Sequence, residues 1–128
     1  MSFHDKCIES EEMGRIAYEN AYYNSAINRY YYSFFQYLKQ VLESKQIHTD
    51  EEKVNEGGSH EYTKNQYVQY IRKKGNTKNN MKKVRDINDC FSKMKQMRKI
   101  ADYDEKSCEK EDADKVKRWY NLIISIIV

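Results

Sequence analysis

The strongest periodic signal in the chain lies in residues 22–44, where Ile27, Tyr31, Phe34, Leu38, Val41 and Leu42 recur every three or four residues. That spacing puts them on one face of an α-helix. Four weaker stripes accompany it. Residues 4–19 carry a sparse apolar face of Ile8, Met13, Ile16 and Ala17. Residues 60–74 place Tyr67, Tyr70 and Ile71 together, and residues 81–100 carry Val84, Ile87, Phe91 and Met94. Residues 111–128 keep Ala113, Val116, Tyr120, Ile123 and Ile127 in phase. Asn20 interrupts the first pattern, because asparagine favours turns over helix interiors. Residues 45–59 are polar and end in Gly57-Gly58-Ser59, a loop with Ser59 as N-cap of the third helix. Residues 75–80 form a second loop, with Gly75 suited to a helix C-cap. The pattern predicts an all-α fold, an antiparallel bundle of about five helices in a single domain over residues 1–128.

Composition narrows this further. The chain has no proline and only four glycines in 128 residues, which disfavours an all-β fold built on frequent turns. Three cysteines, Cys7, Cys90 and Cys108, show no paired spacing and no nearby histidine. They read as free thiols of a reducing cytoplasm, with neither metal nor cofactor expected. The N-terminus lacks the apolar core of a signal peptide, and the apolar stretch over residues 122–128 is far short of the ~20 residues that span a bilayer. The expected location is cytoplasmic, with no membrane partner.

Charge is unevenly placed. The net charge is +3, yet residues 64–99 alone carry twelve basic and two acidic side chains. Lys64, Arg72, Lys73, Lys74, Lys82, Lys83 and Arg85 head this segment, with Tyr62, Tyr67 and Tyr70 interleaved at its start. A basic run with tyrosines suits a phosphate backbone and unpaired bases. It equally describes a solvated helix face balanced by the acidic N-terminal half.

One residue breaks the apolar stripe of the fourth helix. Four positions beyond Met94, the next inward position is Arg98. A buried guanidinium needs a partner or a ligand. An ion pair with Asp102 at i,i+4 answers it structurally, and a bound phosphate answers it functionally.

Two segments around these residues resemble the HEPN superfamily, in its branch of small prokaryotic proteins. Ala26-Ile27-Asn28-Arg29-Tyr30-Tyr31-Tyr32-Ser33-Phe34-Phe35 is similar to that family's A-x-x-R-x-Y-Y-x-x-F signature on its second helix. Arg98-Lys99-Ile100-Ala101-Asp102-Tyr103 is similar to its R-x-x-A-D-Y signature at the end of the fourth. His60 falls where such proteins often carry a histidine opening the middle helix.

The resemblance implies a helical homodimer, and in many members a metal-independent RNase of a toxin–antitoxin or antiphage defence system. There an arginine holds the scissile phosphate and a histidine a few residues later moves protons at the ribose 2′-hydroxyl. This chain departs from that pattern, because the positions after Arg98 carry Tyr103, Asp104 and Glu105 and no histidine. The catalytic candidates are then Arg98, Asp102, Tyr103 and His60, with the basic segment steering RNA. The resemblance also implies an alternative, a non-catalytic partner of a nucleotidyltransferase antitoxin or another defence protein. In such systems AMP is added to the tyrosine that Tyr103 matches. The cluster Tyr30-Tyr31-Tyr32 reads as core and interface, and Arg29 as a structural partner for Asp102 or another carboxylate.

Overall fold

A computed structural model describes residues 3–47, 59–103 and 107–127. The described chain forms α1 (Phe3–Glu19), α2 (Tyr23–Ser44), α3 (Ser59–Lys73), α4 (Lys78–Tyr103) and α5 (Lys110–Ile126), with no strand among the described residues. The all-α bundle expected from the periodicity is the observed fold. Asp104 and most of the polar loop after α2 lie outside the described residues.

Helix α2 is the axis of the bundle, and each of the other four helices packs against it. Its ten buried residues include Ile27, Tyr31, Phe34, Leu38 and Leu42. At ~100° per residue these ten positions sweep about 200° of its circumference. Helix α4 adds Val84, Ile87, Phe91 and Met94, and α5 adds Ala113, Val116, Tyr120 and Ile123. Each of the larger aliphatic and phenylalanine side chains, fully buried, contributes roughly 1.5–3 kcal/mol of transfer free energy.

Helix α1 departs from the sequence expectation. Ile8, Met13 and Ile16 are exposed, and of the expected face only Ala17 is buried. The inward row is Cys7, Gly14 and Ala17 instead. These are small residues, so the two backbones approach closely. A Cβ on Gly14 would already meet Arg29 Cβ and the Tyr30 ring at 3.4 Å. Reading by bulk selected the wrong face because close packing here favours small volume over large apolar area.

Polar groups buried by this contact are satisfied across three helices. Ser33 is completely buried; its hydroxyl donates to the Cys7 carbonyl at 2.9 Å and lies 2.8 Å from the Tyr120 hydroxyl. Tyr120 in turn donates to Glu11 at 2.9 Å. All three cysteines are buried, and none forms a disulfide. Burial pushes the Cys7 thiol up, and pushes Cys90 up to about 11, so both stay protonated and unreactive.

Helix ends explain the remaining differences. The Thr77 hydroxyl accepts the Asn80 N–H at 3.1 Å, so α4 starts at Lys78 and the loop is shorter than expected. Gly75 turns the chain with φ +129°, in keeping with its expected capping role. At the end of α1, Tyr22 N–H reaches back to the Ala17 carbonyl at 2.8 Å and Ala21 N–H to Tyr18 at 3.1 Å. This is a Schellman turn, and it holds Ala21 at φ +62° without a glycine.

Two stability outcomes are expected in chemical denaturation. Ala21→Gly relieves the left-handed strain and should raise stability by about 0.5–1 kcal/mol. Tyr120→Phe removes the hydroxyl that donates to Glu11 beside buried Ser33 and should lower it by about 1–3 kcal/mol.

Candidate functional site

The inward stripe of α4 ends in a charge, and the fold builds a cluster around it. The Arg98 side chain is only 20% exposed. Its Nε lies 3.0 Å from Asp102 Oδ2, one turn along the same helix. That contact is an ion pair rather than an aligned hydrogen bond, since the sealed Nε atom makes none. Its Nη2 donates to the Tyr32 hydroxyl at 3.2 Å. Its Cζ sits 5.6 Å from the ring centres of both Tyr31 and Tyr32. Asp102 is held from a second side, by the Asn28 amide at 3.0 and 3.2 Å.

His60 enters this cluster from the first turn of α3. Its Nδ1 lies 2.7 Å from the Tyr31 hydroxyl. Its ring centre is 3.9 Å from that of Phe35, 5.1 Å from Tyr31 and 5.8 Å from Tyr32. Burial, and then the positive charges of Arg98, Lys39 and Lys95, push its pKa down to about 4. The imidazole is therefore neutral at physiological pH. Burial also raises the Tyr31 phenol, so the bond between the two joins neutral partners.

The structure thus brings Arg98, Asp102 and His60 together. Tyr103 closes α4 beside them, 77% exposed. His60 reaches this cluster from a different helix than Arg98, although 38 positions separate the two in sequence. Tyr31, Tyr32 and Asn28 were not identified as site residues, yet a signal existed. Asn28, Tyr32, Phe35 and Lys39 form a row at spacings of four, three and four on α2, beside the apolar stripe rather than within it. Asn28, not Arg29, answers Asp102; Arg29 is exposed. Tyr30 and Tyr31 are core residues of the bundle.

The basic segment lies elsewhere. Helices α3 and α4 pack as an antiparallel hairpin, with Arg98 and His60 at its open end. Arg72, Lys73, Lys74, Lys82, Lys83 and Arg85 gather at the turn. Arg85 precedes Arg98 by thirteen helical positions, about 20 Å along the axis. Lys64 is set apart from the other six: it is 8% exposed and donates to Asn88 at 2.8 Å. Tyr67 is buried too, whereas Tyr70 sits under Lys74 and Lys45 at 4.7 and 5.1 Å.

Among the described residues, no group of three His, Cys, Asp or Glu side chains is placed to hold a metal ion. No described helix is long and apolar enough to cross a membrane. The fold and cluster define a small all-α bundle that presents an arginine, a neutral histidine and tyrosines at one end. Comparisons of the chain with family models, curated proteins and solved structures find no match.

The lowered His60 pKa fixes a pH dependence. Between about pH 6.5 and 4 the unfolded chain binds a proton that folded His60 refuses. Its contribution to stability is complete above that window and is lost as pH falls through it. The expected loss is roughly 1–2 kcal/mol after screening by nearby water. Urea denaturation at stepped pH should show this slope, and His60→Asn should remove it.

Proposed function

We propose that the chain is a HEPN-type protein of a prokaryotic toxin–antitoxin or antiphage system, acting as a homodimer that binds RNA and cleaves it at Arg98 and His60 without a metal. The observation that carries this reading is the pairing of a half-buried guanidinium with a neutral imidazole, delivered from two different helices. In the proposed reaction a phosphodiester docks on the guanidinium, whose Nη1 has no partner among the described residues. With Nδ1–H donating to Tyr31, His60 Nε2 takes the proton of the ribose 2′-hydroxyl. The O2′–P bond forms, the P–O5′ bond breaks, and the departing 5′ oxygen takes a proton from water. Arg98 stabilises the extra negative charge of the pentacoordinate phosphorus. The docked phosphate also offsets the Arg98 charge that depresses His60, which makes the imidazole a stronger base once substrate is present. Asp102 holds Arg98 in place, and Tyr103 flanks the docked strand. The exposed Ile8, Met13 and Ile16 on α1 support self-association.

A second reading is favoured by the 77% exposure of Tyr103. In it the chain is a non-catalytic partner module, and an associated nucleotidyltransferase adds AMP to that phenol. Arg98, already answered by Asp102, then serves the fold.

Purified protein in EDTA is expected to cleave single-stranded RNA, with Arg98→Ala lowering the rate at least ~100-fold and His60→Asn ~10²–10⁴-fold. Cleavage indistinguishable from the Arg98→Ala background would overturn the nuclease reading. Modification by a nucleotidyltransferase that Tyr103→Phe abolishes would establish the partner role.

A further inference from the structure

The turn between α3 and α4 frames a cavity of about 500 Å³ that the Arg98 cluster does not touch. That volume is ordinary for a small-molecule site, ~300–1,000 Å³. One wall is apolar: Ile71 and Val84 are buried side chains, and Met81 is exposed beside them. Arg72 from α3 and Arg85 from α4 line it together. Neither arginine has an ion pair or hydrogen bond among the described residues, and no carboxylate lines the cavity. By contrast Arg15, which lines a groove beside α1, is paired with both Glu12 and Glu19. What sets Arg72 and Arg85 apart is that both unpaired guanidinium groups line one cavity.

The polar lining is oriented. The Asn88 oxygen accepts from the buried Lys64 ammonium at 2.8 Å, which leaves its NH₂ group as a donor. The Asn80 amide donates to the Gly75 carbonyl at 3.1 Å, which leaves its oxygen as an acceptor. A donor and an acceptor beside an apolar wall suit the edge of a nucleobase. Two unpaired guanidinium groups suit its phosphate. A simple inorganic anion would use the arginines and leave the wall unused.

We infer that this cavity is a nucleotide-binding site separate from Arg98, in which a base lies against Ile71, Val84 and Met81 and its phosphate is held by Arg72 and Arg85. A free nucleoside monophosphate and a nucleotide within single-stranded RNA present the same chemistry. The inference does not depend on catalysis at Arg98.

Isothermal titration of the full chain with AMP, GMP, CMP, UMP, inorganic phosphate and a short single-stranded RNA tests it. Mononucleotide binding is expected, weakened about tenfold by Arg72→Ala and by Arg85→Ala and unchanged in Arg98→Ala. Met81→Ser removes apolar wall without adding charge, and should weaken nucleotides and leave any phosphate binding intact. Binding of RNA alone, with the same dependence on Arg72 and Arg85, would support the site and identify the polymer as its source. Phosphate binding as tightly as the nucleotides would overturn the assignment. So would the absence of any binding, indifference to both arginine variants, or loss of mononucleotide binding in Arg98→Ala. Because cleavage is read at Arg98 and binding at Arg72 and Arg85, failure of one reading leaves the other standing.

Discussion

Burial of α2 on more than half of its circumference is the constraint from which the rest of the bundle follows. A helix with buried residues spread over about 200° is not covered by one neighbour. It takes four, and α1, α3, α4 and α5 all contact it. The face given to α1 is shaped for closeness, so small residues line the partner. The face given to α4 and α5 is shaped for volume, and Phe34, Phe91 and Ile123 fill it. Packing density decides both, because a core tolerates neither a void nor a clash.

The same geometry creates the polar cluster at the end of α4. As α4 runs past Met94, the next inward position lies at the rim of the core, where a guanidinium can keep part of its hydration. Burying that charge without a partner would be costly. Asp102, Tyr32 and two aromatic faces answer it. The charge then imposes itself on His60. Burial first, and then the charges of Arg98, Lys39 and Lys95, disfavour a second positive charge, and the imidazole stays neutral. Arginine supplies fixed charge, while the neutral imidazole keeps a nitrogen able to accept a proton.

The α3–α4 hairpin separates two kinds of positive charge. At its open end Arg98 is paired and half-buried, and Lys95 is matched to Glu61 at 3.6 Å. At its turn Arg72 and Arg85 face a cavity without a partner among the described residues. A run of twelve basic residues is uniform as a composition, but in the fold its members differ in burial, partner and accessible shape. Lys64 shows how far they differ, as a buried ammonium that positions Asn88.

By itself the sequence determined the helices and the all-α class, because a 3.6-residue apolar period survives any tertiary arrangement. Arg98 was legible as a candidate for the same reason: it interrupts a stripe in phase. Helix ends were legible where a single residue decides them, as at Gly75, and less so where a cap or an i,i+4 pair lengthens the helix, as at Thr77 and Asp102. The tertiary structure alone decided the rest. Which face of α1 turns inward depends on how closely two backbones can approach, a property of the pair and not of either strip of sequence. The meeting of His60 with Arg98, 38 positions apart, depends on α3 and α4 folding back on each other. Local periodicity records how a helix meets a core. It carries no record of which other helix end lies beside it.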